Sequence, residues 1–244
     1  MNGGAFTGGL VGQNISGSII NSYSTGKVVG AAYTGGLVGA TTTGNITSSY
    51  STGAVHGAAG TGGLVGIVTT GIITGSYATG TVWGGAGTGG LVGTTTGAVS
   101  TSYATGNVRG TTEGTESGFG AGVGGLVGTT TAKVTNTYAT GAVDGQTNVG
   151  GLIGHATGSV SNSYAVGSVT GVDSTTTGAF MGSATVTNTN NFYNSEINGT
   201  MPGVGAQSIL GGVTGKSTVD MKLQTTFTNA GWDFTTTPTP TAFS

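Results

Sequence analysis

One short phrase returns along this chain at a nearly constant interval. It reads Gly-Gly-Leu-Val-Gly or a close variant, and it is followed by a turn rich in threonine and glycine and then by a segment that usually ends in Tyr-Ala-Thr-Gly-x-Val. The central apolar residues of the copies are Leu10, Leu37, Leu64, Leu91, Leu126 and Leu152, with Phe180 in a degenerate seventh copy. A period of about 27 residues is typical of stacked repeat architectures, in which each repeat buries its apolar side only against its neighbours.

The second copy indicates that the repeat unit is a coil of β-strands. Leu37 and Val38 are predicted to form a short apolar strand. Residues 45–53 alternate in polarity and should form a second strand, and residues 54–56 a third, with glycine and threonine turns between them. We therefore expect an all-β fold, a single-stranded parallel β-helix (β-solenoid) of about seven coils of ~27 residues. The crossover rule for parallel strands favours a right-handed coil.

Two interruptions of the period define the expected domain organisation. The interval between the fourth and fifth copies is longer than the others, and we assign residues 110–123 to an inserted loop. The repeat array is expected to cover residues 1–193. Residues 194–244 contain all three prolines and should form a degenerate last coil and a C-terminal cap, because an open solenoid end exposes unpaired strand edges.

Equivalent residues of successive coils should lie directly above one another. A parallel solenoid stacks identical side chains at intervals of ~4.8 Å, which favours β-branched and aromatic residues. The predicted internal columns contain Leu37, Leu64 and Leu91; Ile46, Ile73 and Val99; and Tyr50, Tyr77, Tyr103, Tyr138 and Tyr164. Strand alternation also predicts an inward polar column of Asn21, Ser48, Gly75, Thr101, Asn136, Asn162 and Asn188.

The same alternation directs pairs of threonine and serine outward. The candidates for surface binding are Thr47, Ser49, Thr74, Ser76, Thr135 and Thr137, together with Glu113 and Glu116 of the inserted loop. A flat, uncharged grid of hydroxyl and methyl groups at β-sheet spacing is also how β-solenoid ice-binding proteins present their surface. Ice binding through this array is therefore an alternative function.

Charged residues are too sparse for several classes of function. With 5 Lys+Arg and 7 Asp+Glu, the chain cannot build the basic surface that nucleic-acid binding or polybasic membrane attachment requires. No apolar run approaches the ~18 residues that a membrane-spanning helix needs. The lack of cysteine excludes disulfides and cysteine-based metal sites. We expect neither nucleic-acid binding nor membrane insertion.

No residue pattern points to catalysis, and we expect a protein that is not an enzyme and that holds no cofactor or metal. The two histidines, His56 and His155, fall in different registers several coils apart. Asp144 and Asp173 lie on neighbouring coils, where they could approach each other as a glycosidase pair or as ligands of an isolated Ca²⁺ ion. The glycine phrases precede strands instead of helices, so they do not form phosphate-binding loops.

The succession of Gly-Gly-Leu-Val-Gly and Ser-Tyr-Ala-Thr-Gly-x-Val resembles the GLUG repeat, from residue 3 to about residue 193. The tail segment Gly231-Trp232-Asp233-Phe234 is similar to one that often closes such arrays. GLUG repeats occur in large bacterial surface proteins, including filamentous-haemagglutinin-like adhesins and IgA-peptidase-type proteins. The resemblance implies an extracellular or cell-surface location and no catalytic residue.

We therefore predict a non-enzymatic structural and adhesive segment of a secreted or cell-surface protein. Its rigid polar face would bind a host-surface glycan or protein weakly and at several sites at once. A second alternative is a filament or phage-fibre subunit that associates end to end, because an uncapped solenoid end can accept another strand.

Overall fold

The computed structural model describes residues 3–110, 121–207 and 211–234. The strands of successive coils pair in parallel and form sheets that run along the axis of the molecule. The chain is thus an all-β solenoid of about seven turns, which confirms the predicted fold class. Its right-handed sense stays a prediction.

The first sheet follows the Gly-Gly-Leu-Val-Gly phrase along the whole solenoid. Its register pairs Val38 with Val11 on one side and with Val65 on the other, so equivalent residues of the repeats stack. Its strands are Val11–Asn14, Val38–Thr41, Val65–Val68, Val92–Thr95, Val127–Thr130, Ile153–Ala156, Met181–Ala184 and Val204–Gln207.

The second and third sheets both come from the segment that was predicted to be one continuous strand. The strands of the second sheet are Ile19–Ile20, Ile46–Thr47, Ile73–Thr74, Val99–Ser100, Val134–Thr135 and Val160–Ser161. Those of the third sheet are Tyr23–Ser24, Tyr50–Ser51, Tyr77–Ala78, Tyr103–Ala104, Tyr138–Ala139, Tyr164–Ala165, Asn191–Asn194 and Val213–Lys216. Each coil therefore has more strands than the three expected.

The fourth and fifth sheets complete the coil. The strands of the fourth sheet are Val28–Val29, Val55–His56, Val82–Trp83, Val108–Arg109, Val143–Gly145 and Val169–Gly171. Those of the fifth sheet are Thr88–Gly89, Ala121–Gly124, Thr147–Gly150 and Thr177–Gly178. Single parallel bridges join Gly8 to Gly35, Gly35 to Gly62 and Gly62 to Gly89. They continue the fifth sheet through the first coils.

Part of the predicted inserted loop is a strand. Residues 121–123 of the range 110–123 belong to Ala121–Gly124, which pairs with the strands before and after it in the fifth sheet. Residues 111–120, including Glu113 and Glu116, lie outside the described residues.

The interior of the solenoid is a continuous apolar core. Beyond the first coil the leucine column is fully buried, with Leu37, Leu64 and Leu91 each at 0% exposure, and so are Ile46 and Ile73. These side chains come from successive coils, so a single coil could not bury them.

Glycine permits the coils to approach closely at the corner before each leucine. A Cβ atom added to Gly62 would overlap the carbonyl oxygen of Val65 and would lie 2.7 Å from the backbone nitrogen of Gly93. Since both neighbours are backbone atoms, no rotamer change can make room. The recurrence of glycine at this position is therefore a packing requirement of the coil.

The tail adds strands and short helices to the C-terminal end. The strands Val204–Gln207 and Val213–Lys216 extend the first and third sheets. The α-helices of the described ranges are Ser195–Asn198 and Gln224–Thr228, and the 3-10 helices are Ser174–Thr176 and Asp220–Lys222. None of the helices in the described ranges is both long enough and apolar enough to span a bilayer.

Candidate functional site

A left-handed residue between the second and third sheets decides which side chains face outward. Ser48 has a φ of 49° and Gly75 a φ of 58° at equivalent places, and the same conformation recurs at Asn21, Thr101, Asn136 and Asn162. Such a residue breaks the strand and turns the chain, so the alternation of inward and outward side chains starts again after it. The predicted inward polar column is therefore wrong, since Ser48 and Asn21 are exposed and Asn188 alone among its members is buried.

The serine column that follows this turn lies inside the solenoid. Ser49 and Ser76 are both at 0% exposure, and the Oγ atom of Ser76 accepts a hydrogen bond from the Ser49 N–H at 3.1 Å. The same Oγ atom donates to the Thr74 carbonyl oxygen at 2.9 Å. Equivalent bonds join Ser76 to Ser102 and Thr137 to Ser163. The outward placement of Ser49, Ser76 and Thr137 was therefore wrong, because these hydroxyls are used to satisfy buried backbone groups.

The threonines that precede the turn do face outward. Thr47, Thr74 and Thr135 are partly exposed, and Ser100 and Ser161 continue their column. The Oγ of Ser100 donates to the Oγ1 of Thr74 at 3.2 Å, and the hydroxyls of Thr135 and Ser161 lie 3.1 Å apart. We call this set the outer hydroxyl column. It is a single row, so the two-column grid on which the ice-binding alternative rests is not formed by these strands.

The tyrosines form an uninterrupted stack on the outside of the third sheet. Their register runs from Tyr23 through Tyr50, Tyr77, Tyr103 and Tyr138 to Tyr164. Ring centroids of neighbours are 4.7 to 5.2 Å apart and the rings are nearly parallel, with interplanar angles of 1° to 8°. The predicted in-register stacking is observed, but the inward placement was wrong, because the turn at Ser48 directs this column outward.

Burial of the tyrosine stack increases towards the C-terminal end. Tyr23 is 60% exposed, whereas Tyr138 is 7% and Tyr164 is 2% exposed. The difference comes from the tail, since Met221 and Phe227 are buried in one cluster with the last tyrosines. Burial, and secondarily the neighbouring tyrosine, raises the pKa of Tyr138 and Tyr164 above that of an ordinary phenol.

A groove of about 520 Å³ runs between the middle of the tyrosine stack and the tail. Tyr103 and Tyr138 present only their ring edges and phenol groups to the groove, because the neighbouring tyrosine rings cover both of their faces. The tail supplies a cation, Lys222, and apolar atoms of Ile197 and Met221. The lining residues are Thr79, Tyr103, Thr105, Tyr138, Thr140, Val166, Asn194, Ile197, Thr218, Met221 and Lys222. This surface offers many hydroxyl groups and little charge, which suits a polyhydroxyl ligand better than a strongly ionic one.

The two candidate carboxylates, Asp144 and Asp173, each have a partner of their own. The Oδ2 atom of Asp144 lies 3.3 Å from Nε of Arg109, and Asp173 accepts bonds from Thr175 and Thr176 at the start of the 3-10 helix Ser174–Thr176. These hydrogen bonds lower the pKa of Asp173. Among the described residues, no three histidine or carboxylate side chains are grouped to hold a metal ion.

The histidines have separate surroundings. The ring of His56 is buried edge-on against Trp83, with centroids 4.2 Å apart, and the Nδ1 atom of His155 lies 2.6 Å from the Ser183 Oγ. Both lie within strands, His56 in the fourth sheet and His155 in the first, where each contacts a side chain of the next coil. The strand at residues 54–56 was predicted from the sequence.

Sequence reasoning missed the groove and the turn that produces it. A signal for the turn was present, since asparagine or glycine stands at five of the equivalent left-handed positions, Asn190 included, and these residue types adopt that conformation most readily. The groove has no comparable signal, because its second wall comes from the non-repetitive tail.

Comparison with known proteins agrees with the coil as the repeating unit. The family model of the GLUG motif matches residues 4–29 and 145–170. Each matched stretch spans one turn of the solenoid and ends in a strand of the fourth sheet. Neither the curated proteins nor the solved structures yield a match. The chain thus carries the GLUG motif at two places within a β-solenoid.

Proposed function

We propose that this chain is a non-enzymatic structural and adhesive segment of a secreted or cell-surface protein. The GLUG motif and the solenoid fit a structural repeat protein. The observation that carries the structural part is the unbroken register of six tyrosines, from Tyr23 to Tyr164, across successive coils. A stack of this kind, backed by parallel hydrogen bonds in every sheet, makes a rod that resists bending.

The adhesive part of the proposal rests on the chemistry of the outer faces. The outer hydroxyl column and the groove beside Tyr103 and Tyr138 present regularly spaced hydroxyls in a nearly uncharged setting. Such groups bind sugar hydroxyls through many weak hydrogen bonds, so the ligand class we propose is a host-surface glycan, free or carried by a protein. Because the hydroxyls of the outer column recur along the rod, several weak contacts act together with the groove.

Binding to immobilised glycans at graded surface densities tests this proposal. We expect binding that rises steeply with glycan density, because it depends on simultaneous contacts. Thr105→Trp should fill the groove and weaken binding. Thr52→Trp is the matched control, because it changes the equivalent exposed position two coils away, where the described part of the tail does not line the groove. Failure to bind any glycan at the highest density would refute the adhesive function. Equal binding by the two variants would show that the glycan does not bind in the groove.

A further inference from the structure

The first coil carries isoleucine at exterior positions where later coils carry threonine or serine. Ile20 occupies the position of Thr47 in the outer hydroxyl column and is 57% exposed. Ile15 lies in the turn before the second-sheet strand, at the position that Thr42 occupies in the next coil, and it is 67% exposed. These exchanges are properties of the sequence and do not follow from the position of the coil at an end. They make the rim of the N-terminal face apolar at positions that are polar in the later coils.

Within the described residues, the N-terminal face of the first coil is open. Leu10 is 54% exposed, although its equivalents Leu37 and Leu64 are fully buried, and one ring face of Tyr23 is not covered by the tyrosine stack. Such a surface normally buries its apolar groups against another coil.

This face also offers both kinds of backbone hydrogen-bonding group. The N–H groups of Tyr50 and Tyr77 donate to the Ser22 and Ser49 carbonyls of the preceding coil, at 3.0 and 3.1 Å. The Tyr23 N–H stands in the same place on the outer edge of the first coil. In the second sheet the direction is reversed, because Ile19 donates to Asn45 of the following coil. The Ser18 carbonyl, equivalent to that of Asn45, therefore points to the N-terminal edge. An edge that carries both donors and acceptors can pair with a copy of itself.

The C-terminal end does not complement this face. The Asn198 side chain accepts from the Val169 N–H at 2.9 Å and donates to the Gly167 carbonyl at 3.1 Å, which satisfies the edge of the fourth sheet. The Asn191 side chain makes similar bonds to Ser163 and Val160. The strands Val204–Gln207 and Val213–Lys216 prolong only the first and third sheets. Among the residues that the structure describes, the two ends therefore differ in height and in available hydrogen bonds, and the C-terminal end offers no surface that matches the N-terminal face.

We infer that the N-terminal face is a self-recognition surface through which two copies of this chain associate face to face. Two identical strand edges related by a two-fold axis run antiparallel, and in that arrangement opposing residues exchange N–H···O bonds reciprocally. Because each copy uses the one end that matches in the described residues, we expect assembly of this chain to stop at two. An open filament would require a C-terminal end that accepts the N-terminal face.

Sedimentation velocity over a wide concentration range tests this inference on the full chain. We expect a monomer–dimer equilibrium without larger species. The variant Ile15→Thr/Ile20→Thr inserts residues that the later coils use at these positions, so it should fold normally and weaken association by about tenfold or more. Ile72→Thr is the matched control, since Ile72 is 45% exposed but lies two coils away from the N-terminal face, and it should leave association unchanged.

Three results would overturn the inference. A monomer at every concentration would show that the N-terminal face does not bind a second copy, and a further coil of a longer polypeptide or a different partner would then cover it. Species that grow beyond two copies would show that the C-terminal end does accept the N-terminal face. Equal dimerisation of the double variant and the parent chain would place the contact elsewhere. Circular dichroism of each variant shows whether the fold is retained.

Discussion

Ser76→Ala separates the observed interior from the surface that strand alternation predicted. In the structure, the Ser76 Oγ is the acceptor for the buried Ser49 N–H at 3.1 Å. Removal of the hydroxyl leaves this N–H without an acceptor in a site at 0% exposure. The Thr74 carbonyl, to which the hydroxyl donates, keeps its bond from the Ser48 N–H at 3.1 Å. One buried donor is therefore orphaned, and we expect the free energy of unfolding to fall by about 1 to 3 kcal/mol.

Urea denaturation followed by far-ultraviolet circular dichroism measures this change. Thr47→Ser is the matched control, because Thr47 lies one coil away in the outer hydroxyl column and keeps its hydroxyl group. A surface change of this kind should alter stability by no more than about 0.5 kcal/mol. If Ser76→Ala lowered the free energy of unfolding no more than the control does, the hydroxyl would not be the acceptor that the Ser49 N–H needs, and the inward serine column would be refuted.

Two further predictions concern the close packing of coils and the tyrosine stack. Gly62→Ala should destabilise the chain by clearly more than the ~1 kcal/mol of a typical substitution, because the added Cβ meets backbone atoms of Val65 and Gly93. Gly4→Ala is the control, because the space around Gly4 is open. Equal melting temperatures of the two variants would contradict the packing argument. Because burial raises the pKa of Tyr138 and Tyr164, the folded state favours their neutral phenols; this stabilisation is complete below the unfolded-state pKa of about 10 and is lost as pH rises further. Phenolate absorbance of these two residues, identified with tyrosine-to-phenylalanine variants, should appear only as the chain unfolds in alkali, and their reversible ionisation near pH 10 in a folded chain would disprove it.

Much of the fold follows from the sequence because a solenoid repeats one set of contacts. A constant interval between leucines means that equivalent residues lie one coil apart, and this alone places Leu37 over Leu64 and Ile46 over Ile73. The leucine and isoleucine columns are inside because each is apolar in every coil, so only an interior position removes them from water. The register of the tyrosines was predictable for the same reason, whichever way their side chains point.

The candidate site was less predictable, because it depends on one backbone conformation and on the tail. Simple alternation assigned Ser49 to the outside and Tyr50 to the inside, and the left-handed turn at Ser48 reverses both. Serine and threonine have little intrinsic preference for that turn, so its signal lies only in the asparagine and glycine of other coils.

The sequence by itself determined the repeat, the stacking register and the apolar columns, since these depend on spacing and on the transfer of apolar groups out of water. Only the tertiary structure decided which polar side chains line the interior and where the tail lies. The buried serines face inward because they supply acceptors to backbone N–H groups of the adjacent coil, a need that does not exist until the coils are stacked. The tail settles on the last tyrosines because Met221 and Phe227 bury their apolar surface there, and no periodic pattern in the sequence encodes that contact.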